Sequence, residues 1–350
     1  MEINSFVKKR PFIISGPCSA ESLIQINTIA DQTHEYIDVF RAGIWKPRTN
    51  PDSFEGVGKV GLKWLNEIKS KYNIKVATEV GTAKHVDLCL DAKIDILWIG
   101  ARTTVNPFYV QEIAEALKGV DIPVLVKNPV HPEISLWIGA FERLYKSGLH
   151  NLTAVHRGFY SYGSSAYRND PKWEIPIELK RKFNDLPIIC DASHIAGKQN
   201  LILETSQIAM DLDMNGLMLE VHSDPRSALS DSEQQITPKE LQNILRSLIF
   251  RDGNLKTTEV KSRLLEIREK IDKLDEKLVF TLKDRENLVK EIARFKLEHG
   301  ITIFQLDRWF EILKKRKNQA EQINLDKKMI SDIFEEIHKF SIFTQTKIMK

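Results

Sequence analysis

The sequence predicts an α/β protein: a closed (β/α)8 barrel of the TIM type, followed by an all-α domain of three helices. Three observations carry that prediction. Short runs rich in apolar and β-branched residues recur through the first two-thirds of the 350-residue chain, separated by segments of helical periodicity. Residues with charge or metal-binding chemistry stand at the carboxyl ends of those runs, where a barrel gathers its loops. After residue 258 the texture changes to long stretches with apolar residues three and four apart.

Composition sets the outer bounds. Apolar content of 42% and charged content of 28% suit a globular protein, and a net charge of +3 is too small for a nucleic-acid footprint. The opening residues Met-Glu-Ile-Asn-Ser-Phe lack a basic segment followed by an apolar one, so no signal peptide is expected, and no run is long enough to span a bilayer. Cys18, Cys89 and Cys190 do not form a disulfide framework, which fits a reducing cytoplasm.

Taken in order, the apolar runs cover residues 11–15, 39–45, 76–80, 96–99, 123–126, 152–155, 187–190 and 216–221, and helical periodicity marks 58–71, 107–118 and 134–147. The count and the near-continuous apolar character favour a closed barrel over an open doubly wound sheet. Just after or at the ends of the runs stand Cys18, Arg41 with Lys46 and Arg48, Glu79, Arg102, Lys127, Arg157, His194 and Glu220. Pro47 cannot donate to a sheet ladder and ends its run. Alternation puts Arg41 and Lys46 on opposite faces of an ideal strand, so a bend is needed before they converge. The stretch Gly56-Val-Gly-Lys-Val-Gly61 fits a dinucleotide fingerprint, but a loop precedes it where that fingerprint requires a strand, so it reads as a chance match.

The barrel is assigned to residues 1–250 and a polar, turn-rich linker to 251–258. The helical domain, 259–350, opens with a stretch free of Pro and Gly to about residue 297. Its apolar stripe runs through Leu264, Ile267, Ile271, Leu274, Leu278, Leu282, Leu288 and Ile292. Gly300 ends it, and two further helices are expected near 306–318 and 326–347. So long a helix cannot bury its stripe in a lone three-helix monomer, which predicts a homodimer through this domain.

Two constellations carry chemistry. Cys18, His194, Glu220 and Asp231 form a candidate metal set: Cys and His favour a transition metal, and two carboxylates leave room for manganese(II), iron(II) or zinc. Arg41, Lys46, Arg102, Lys127 and Arg157 would put five cations at one barrel mouth, a costly arrangement without a bound polyanion.

At this point the residues resemble a family. Gly16-Pro-Cys-Ser-Ala-Glu-Ser22, Lys46-Pro-Arg-Thr49, Ile99-Gly-Ala-Arg-Thr103, Asp191-Ala-Ser-His194 and Leu219-Glu-Val-His-Ser-Asp224 are similar to the motifs of 3-deoxy-D-arabino-heptulosonate-7-phosphate (DAHP) synthases, of the short barrel-only type. The sister octulosonate-phosphate synthases carry a different segment where this chain has Lys-Pro-Arg-Thr. The resemblance implies condensation of phosphoenolpyruvate with erythrose 4-phosphate, the opening step of the shikimate pathway. It places phosphoenolpyruvate on Arg41, Lys46, Arg102, Lys127 and Arg157, and the aldose phosphate on Arg48 and Thr49. Lys46 is suited by residue type to protonate the developing alkoxide, with metal-bound water as the alternative. It gives Cys18, His194, Glu220 and Asp231 a divalent metal, with manganese(II) first and iron(II), cobalt(II) or zinc as the other ions.

Residues 262–346 resemble the all-helical chorismate mutases. That resemblance implies rearrangement of chorismate to prephenate, with Arg268, Arg285, Lys296, Arg308, Ser341 and Gln345 holding the substrate. Lys296 and Gln345 would act at the ether oxygen, and Arg268 would enter the partner's site. Where that family usually carries acidic residues, this chain has Gln305 and Trp309, which weakens contact to the substrate hydroxyl. The alternatives are a helical domain that binds chorismate or prephenate as a dimerisation and sensor module, and a barrel that uses another aldose phosphate. Neither nucleic acid nor membrane is expected as a partner.

Overall fold

Runs of Val, Ile and Leu with no polar face can lie only in a sheet covered on both sides, and the first of them, β1 (Phe12–Gly16), is buried along its whole length. The computed structural model describes residues 3–48, 50, 52–162, 165–251 and 257–350. Within them follow β2 (Val39–Arg41), β3 (Lys75–Val80), β4 (Ile96–Ile99), β5 (Val124–Lys127), β6 (Leu152–His156), β7 (Ile188–Asp191) and β8 (Gly216–Glu220). Each strand pairs in parallel with the next, and β8 closes on β1 through Phe12 opposite Gly216 and Gly16 opposite Glu220. The closed (β/α)8 barrel predicted from the sequence is the observed fold.

Helices cover the outside. They are α1 (Leu23–Thr33), α2 (Val60–Tyr72), α3 (Ala83–Asp91), α4 (Ala101–Thr104), α5 (Pro107–Ala116), α6 (Ile134–Lys146), α7 (Glu174–Lys182), α8 (Ala192–Ala196), α9 (Ile202–Asp211) and α10 (Pro238–Ser247). Their starts follow local chemistry. Ser22, Thr82, Asn106 and Thr237 each accept a backbone N–H at a helix N-terminus, and Thr237 with Glu240 forms a reciprocal capping box. β2 is shorter than its apolar run: only Val39–Arg41 keep the ladder, and the chain bends at Ile44 and Trp45. Residues 50 and 52–59 hold no strand, so the Gly56–Gly61 stretch lacks the strand a dinucleotide fold needs.

The core has two layers. Ile26, Leu65, Trp137 and Phe141 belong to the layer between strands and helices. Inside the barrel sit Phe12, Ile14, Val39, Ala77, Ile96, Trp98, Leu125, Val155, Ile189 and Met218. The inner layer is the floor beneath the barrel mouth.

The chain divides into two compact units, Met1–Gly253 and Asn254–Lys350. The second consists of α11 (Thr258–Glu298), α12 (Leu306–Gln322) and α13 (Lys327–Met349), with α11 and α12 each packed on α13. No helix among the described residues is long and apolar enough to cross a membrane.

Candidate active site

Strand alternation carries the apolar floor up to the mouth. Two residues beyond a floor residue, on the same face, stand Arg41 after Val39, Glu79 after Ala77, Lys127 after Leu125, Arg157 after Val155, Asp191 after Ile189 and Glu220 after Met218. Above that floor a cavity of about 350 Å³ is lined by Lys46, Arg48, Arg102, Lys127 and Arg157, among other residues. Arg41 lies below the lining, 1% exposed, with its guanidinium 4.7 Å from the centre of the Trp98 ring. The bend after β2 brings Arg41 and Lys46 together: both donate to the Cys18 carbonyl, at 3.2 and 3.1 Å. Arg48 donates to the Phe54 carbonyl at 3.0 Å. Thr49 lies outside the described residues.

The ligand-type atoms of Cys18, Glu220 and Asp231 lie within 4.8 Å of one another. The Cys18 thiol donates to Asp231 Oδ2 at 3.2 Å, and Lys46 Nζ approaches Cys18 Sγ to 3.2 Å. His194 stands beside this trio rather than within it, with Nδ1 3.8 Å from Glu220 Oε1. Glu220 Oε1 is buried without a well-formed hydrogen bond to a described residue, although Arg41 Nη1 is 3.0 Å away. Its other oxygen accepts from Gln234 Nε2 at 2.6 Å. A thiol, two carboxylates and an adjacent imidazole, with one carboxylate oxygen left unbonded, fit a divalent first-row metal ion.

Charge is distributed to match. Burial and Glu220 push the Cys18 thiol up to about 12, with Lys46 opposing. Burial works against the Lys46 ammonium, yet Cys18, Glu79 and Glu220 outweigh it and hold its pKa above the ordinary lysine value. Burial draws Arg157 down to about 10, Asp191 opposing and Arg168 and Arg102 adding to the fall. Burial keeps the His194 imidazole below its usual value although Asp191 favours the cation. Burial also opposes ionisation of Asp231, but His194, Arg168 and Lys46 hold it well below the carboxylate range.

Residues beyond those given a role from the sequence also do evident work here. Arg168 Nη1 donates to Asp231 Oδ1 at 2.9 Å and to Gln234 at 2.6 Å. Asn169 accepts from Arg157 Nη1 at 2.8 Å and donates to the His194 carbonyl at 2.6 Å. Asn128 Oδ1 accepts from the Arg157 backbone N–H at 2.7 Å. Trp98 donates through Nε1 to Glu79 at 3.0 Å. Asp191 bridges Lys127 and His194. Glu79, Trp98 and Asp191 share the inward strand register, whereas Arg168 and Asn169 come from a loop and carry no signal in the sequence.

In the helical unit Arg285 Nη1 donates to Ser341 Oγ at 2.6 Å, joining α11 to α13. Gln345 donates to the Ser341 carbonyl at 3.3 Å, and its Oε1 is buried without a described hydrogen-bond partner. Lys296, also buried, donates to the Ile303 carbonyl at 2.7 Å. Arg268 and Arg308 are exposed, Arg308 forming a surface pair with Glu311 at 2.6 Å. Gln305 stands at the N-cap of α12, and the Trp309 ring stacks on His338 with centroids 3.9 Å apart.

The sequence pattern of the DAHP synthetase I family matches residues 7–255, and that of the chorismate mutase type II family matches 267–346. A phospho-2-dehydro-3-deoxyheptonate aldolase of Thermotoga maritima is 33% identical over 226 residues, which is 64% of this chain and 64% of that protein's own length. A 2-dehydro-3-deoxyphosphooctonate aldolase of Helicobacter pylori is 26% identical over 281 residues, covering 71% of this chain and 98% of the relative. The crystal structure of the Thermotoga DAHP synthase superposes with a TM-score of 0.61 at 30% identity, covering 67% of each chain. Strand order, the motif-bearing strand ends and these matches agree: the chain belongs to the DAHP synthetase I family, its barrel continued by a chorismate mutase type II domain.

Proposed function

We propose that the barrel condenses phosphoenolpyruvate with erythrose 4-phosphate to DAHP and phosphate, and that the helical unit rearranges chorismate to prephenate. The observation that carries this reading is the cationic cavity of Lys46, Arg48, Arg102, Lys127 and Arg157 set directly against the Cys18, Glu220 and Asp231 cluster. A substrate with phosphate and carboxylate groups matches Arg102, Lys127 and Arg157 from above and Arg41 from below. Arg48 and Thr49 are assigned the aldose phosphate, which leaves the aldehyde between Lys46 and the cluster.

Cys18, His194, Glu220 and Asp231 would hold a divalent ion, manganese(II) first among the candidates, which when bound supplies Lewis-acid polarisation of the aldehyde. The chain's residues do the remaining work. The cations fix the enol carbon against the aldehyde, so that attack becomes intramolecular in effect. Lys46, held protonated by its anionic neighbours, gives its proton to the oxygen on which negative charge develops. Water then adds at C2 and phosphate leaves.

In the helical unit the arginines would take the two carboxylates of chorismate, and Lys296 with Gln345 the ether oxygen, where charge develops. The Trp309 ring, stacked on His338 and unable to accept a hydrogen bond, favours a second reading, in which this unit binds chorismate or prephenate with little turnover and adjusts the barrel. A homodimer through α11 is part of either reading. A cytoplasmic location accords with three free cysteines.

One assay series decides among these. The full chain is stripped with a chelator, reloaded with single divalent ions and assayed for both reactions, with erythrose 4-phosphate and then with other aldose phosphates. The expected result is DAHP formation that vanishes on stripping and returns with metal, together with measurable mutase turnover. Full condensation by the stripped enzyme would sink the metal assignment. Preference for another aldose would sink the substrate, and absent mutase turnover would leave the sensor reading.

A further inference from the structure

Asp191 belongs neither to the candidate ligand set nor to the cation cradle, yet it touches one member of each. It closes β7 facing into the barrel, fully buried, two residues beyond the floor residue Ile189. Its Oδ2 accepts from Lys127 Nζ at 2.7 Å. Its Oδ1 accepts from the His194 backbone N–H at 3.1 Å, and the His194 ring Nδ1 lies 3.0 Å from Oδ1 and equally 3.0 Å from Oδ2.

We infer that Asp191 is a positioning residue that sets two subsites with one carboxylate: it fixes the His194 tautomer for metal ligation and holds the Lys127 ammonium for phosphoenolpyruvate. This rests on the site reading proposed above. The first half follows from tautomer chemistry. A carboxylate facing Nδ1 keeps the proton there and leaves the Nε2 lone pair for a metal, the usual support for a ligating imidazole. The second half follows from donor counting. Lys127 can only donate, and both donors at Oδ1 are N–H groups, so the site requires acceptor character on both oxygens.

Asparagine cannot meet that requirement. If its amide oxygen faces His194, its NH2 faces the Lys127 ammonium. If the amide is turned, its NH2 faces the His194 backbone N–H and drives the ring proton to Nε2, where ligation fails. Asparagine nevertheless caps helix N-termini about as well as aspartate, so a role confined to capping α8 predicts little effect.

The test uses the full chain as wild type, Asp191→Asn and Lys127→Met. Manganese(II) affinity is read from free manganese by electron paramagnetic resonance, and phosphoenolpyruvate affinity by calorimetry at saturating manganese. For Asp191→Asn both affinities are expected to fall about tenfold or more, whereas Lys127→Met weakens only phosphoenolpyruvate. Unchanged manganese affinity in Asp191→Asn would overturn the inference, leaving Asp191 as a counter-ion to Lys127 or a helix cap. If the amide variant does not fold, Asp191→Glu keeps the charge but displaces the carboxylate. The same double loss is expected of it, and wild-type affinities would overturn the inference. A wild-type chain with no manganese site would overturn both this inference and the site reading beneath it, which separates the two failures.

Discussion

His156 ends β6 one residue before Arg157, enclosed by Trp137, Phe159 and Trp173. Neither ring nitrogen makes a well-formed hydrogen bond to a described residue, although the Pro171 backbone weakly favours the charged ring. Burial therefore dominates and pulls its pKa from 6.5 to about 3. The folded chain keeps this imidazole neutral where the unfolded chain protonates it. Its stabilising effect is thus complete above about pH 6.5 and is lost progressively as pH falls from there through about 3. At roughly 1.4 kcal/mol per unit, the full loss is a few kcal/mol. Unfolding free energies measured from pH 7 to 4 should fall less steeply for His156→Leu than for wild type. Parallel slopes in the two proteins would show that His156 is not a source of acid sensitivity.

At the scale of elements, the barrel was legible because its strands are buried on both faces and therefore read as apolar runs, with functional residues at their ends. The inward register was not legible, because strands apolar on both faces do not show which face is inward; the structure supplies it, with Arg41, Lys127 and Glu220 two residues beyond Val39, Leu125 and Met218. What one sequence also could not display were pairings across the barrel: Lys127 with Asp191, 64 positions apart, or Arg168 with Asp231, 63 apart. Nor does a residue type reveal that Arg41 would sink beneath the cavity or that His194 would stand beside the trio. The short α8 shows how such a pairing depends on backbone. It ends at Gly197 with φ of +67°, where a Cβ would lie 2.2 Å from Cβ of Arg168. Gly197→Ala should therefore cost about 1–2 kcal/mol in backbone strain. It should also shift Arg168 away from Asp231 and Gln234. A melting temperature lowered by several degrees, with weakened manganese(II) binding, is the expected outcome. An unchanged melting temperature would mean the loop bearing Arg168 yields without cost.

At the scale of the whole molecule, the helical unit is out of proportion with itself. α11 has 41 residues, about 60 Å of helix, against 17 in α12 and 23 in α13, about 25 and 35 Å. The buried residues of α11 are Val289, Ala293 and Lys296, all in its second half. Along the first half Ile271, Leu274 and Leu278 are exposed, and an open, mostly apolar groove of about 820 Å³ runs between α11 and α13 beside Val279 and Phe340. An apolar stripe of that length needs a partner of equal length and matching pattern, which in the proposed homodimer a second copy of α11 would supply. The same argument explains why Arg268, on the exposed half of α11, lies apart from the Arg285 and Ser341 pair. If each mutase site takes Lys296 from one chain and Arg268 from the other, Arg268→Ala and Lys296→Ala should each be inactive alone. A heterodimer of the two variants then holds one intact site and one doubly damaged site. After co-refolding equal amounts, half the dimers are mixed, so mutase activity should return to about a quarter of wild type per chain. Recovery at that level requires a site shared between subunits. Its absence, with mixed dimers demonstrated by mass spectrometry, would place Arg268 and Lys296 in one chain's site and remove the shared-site arrangement.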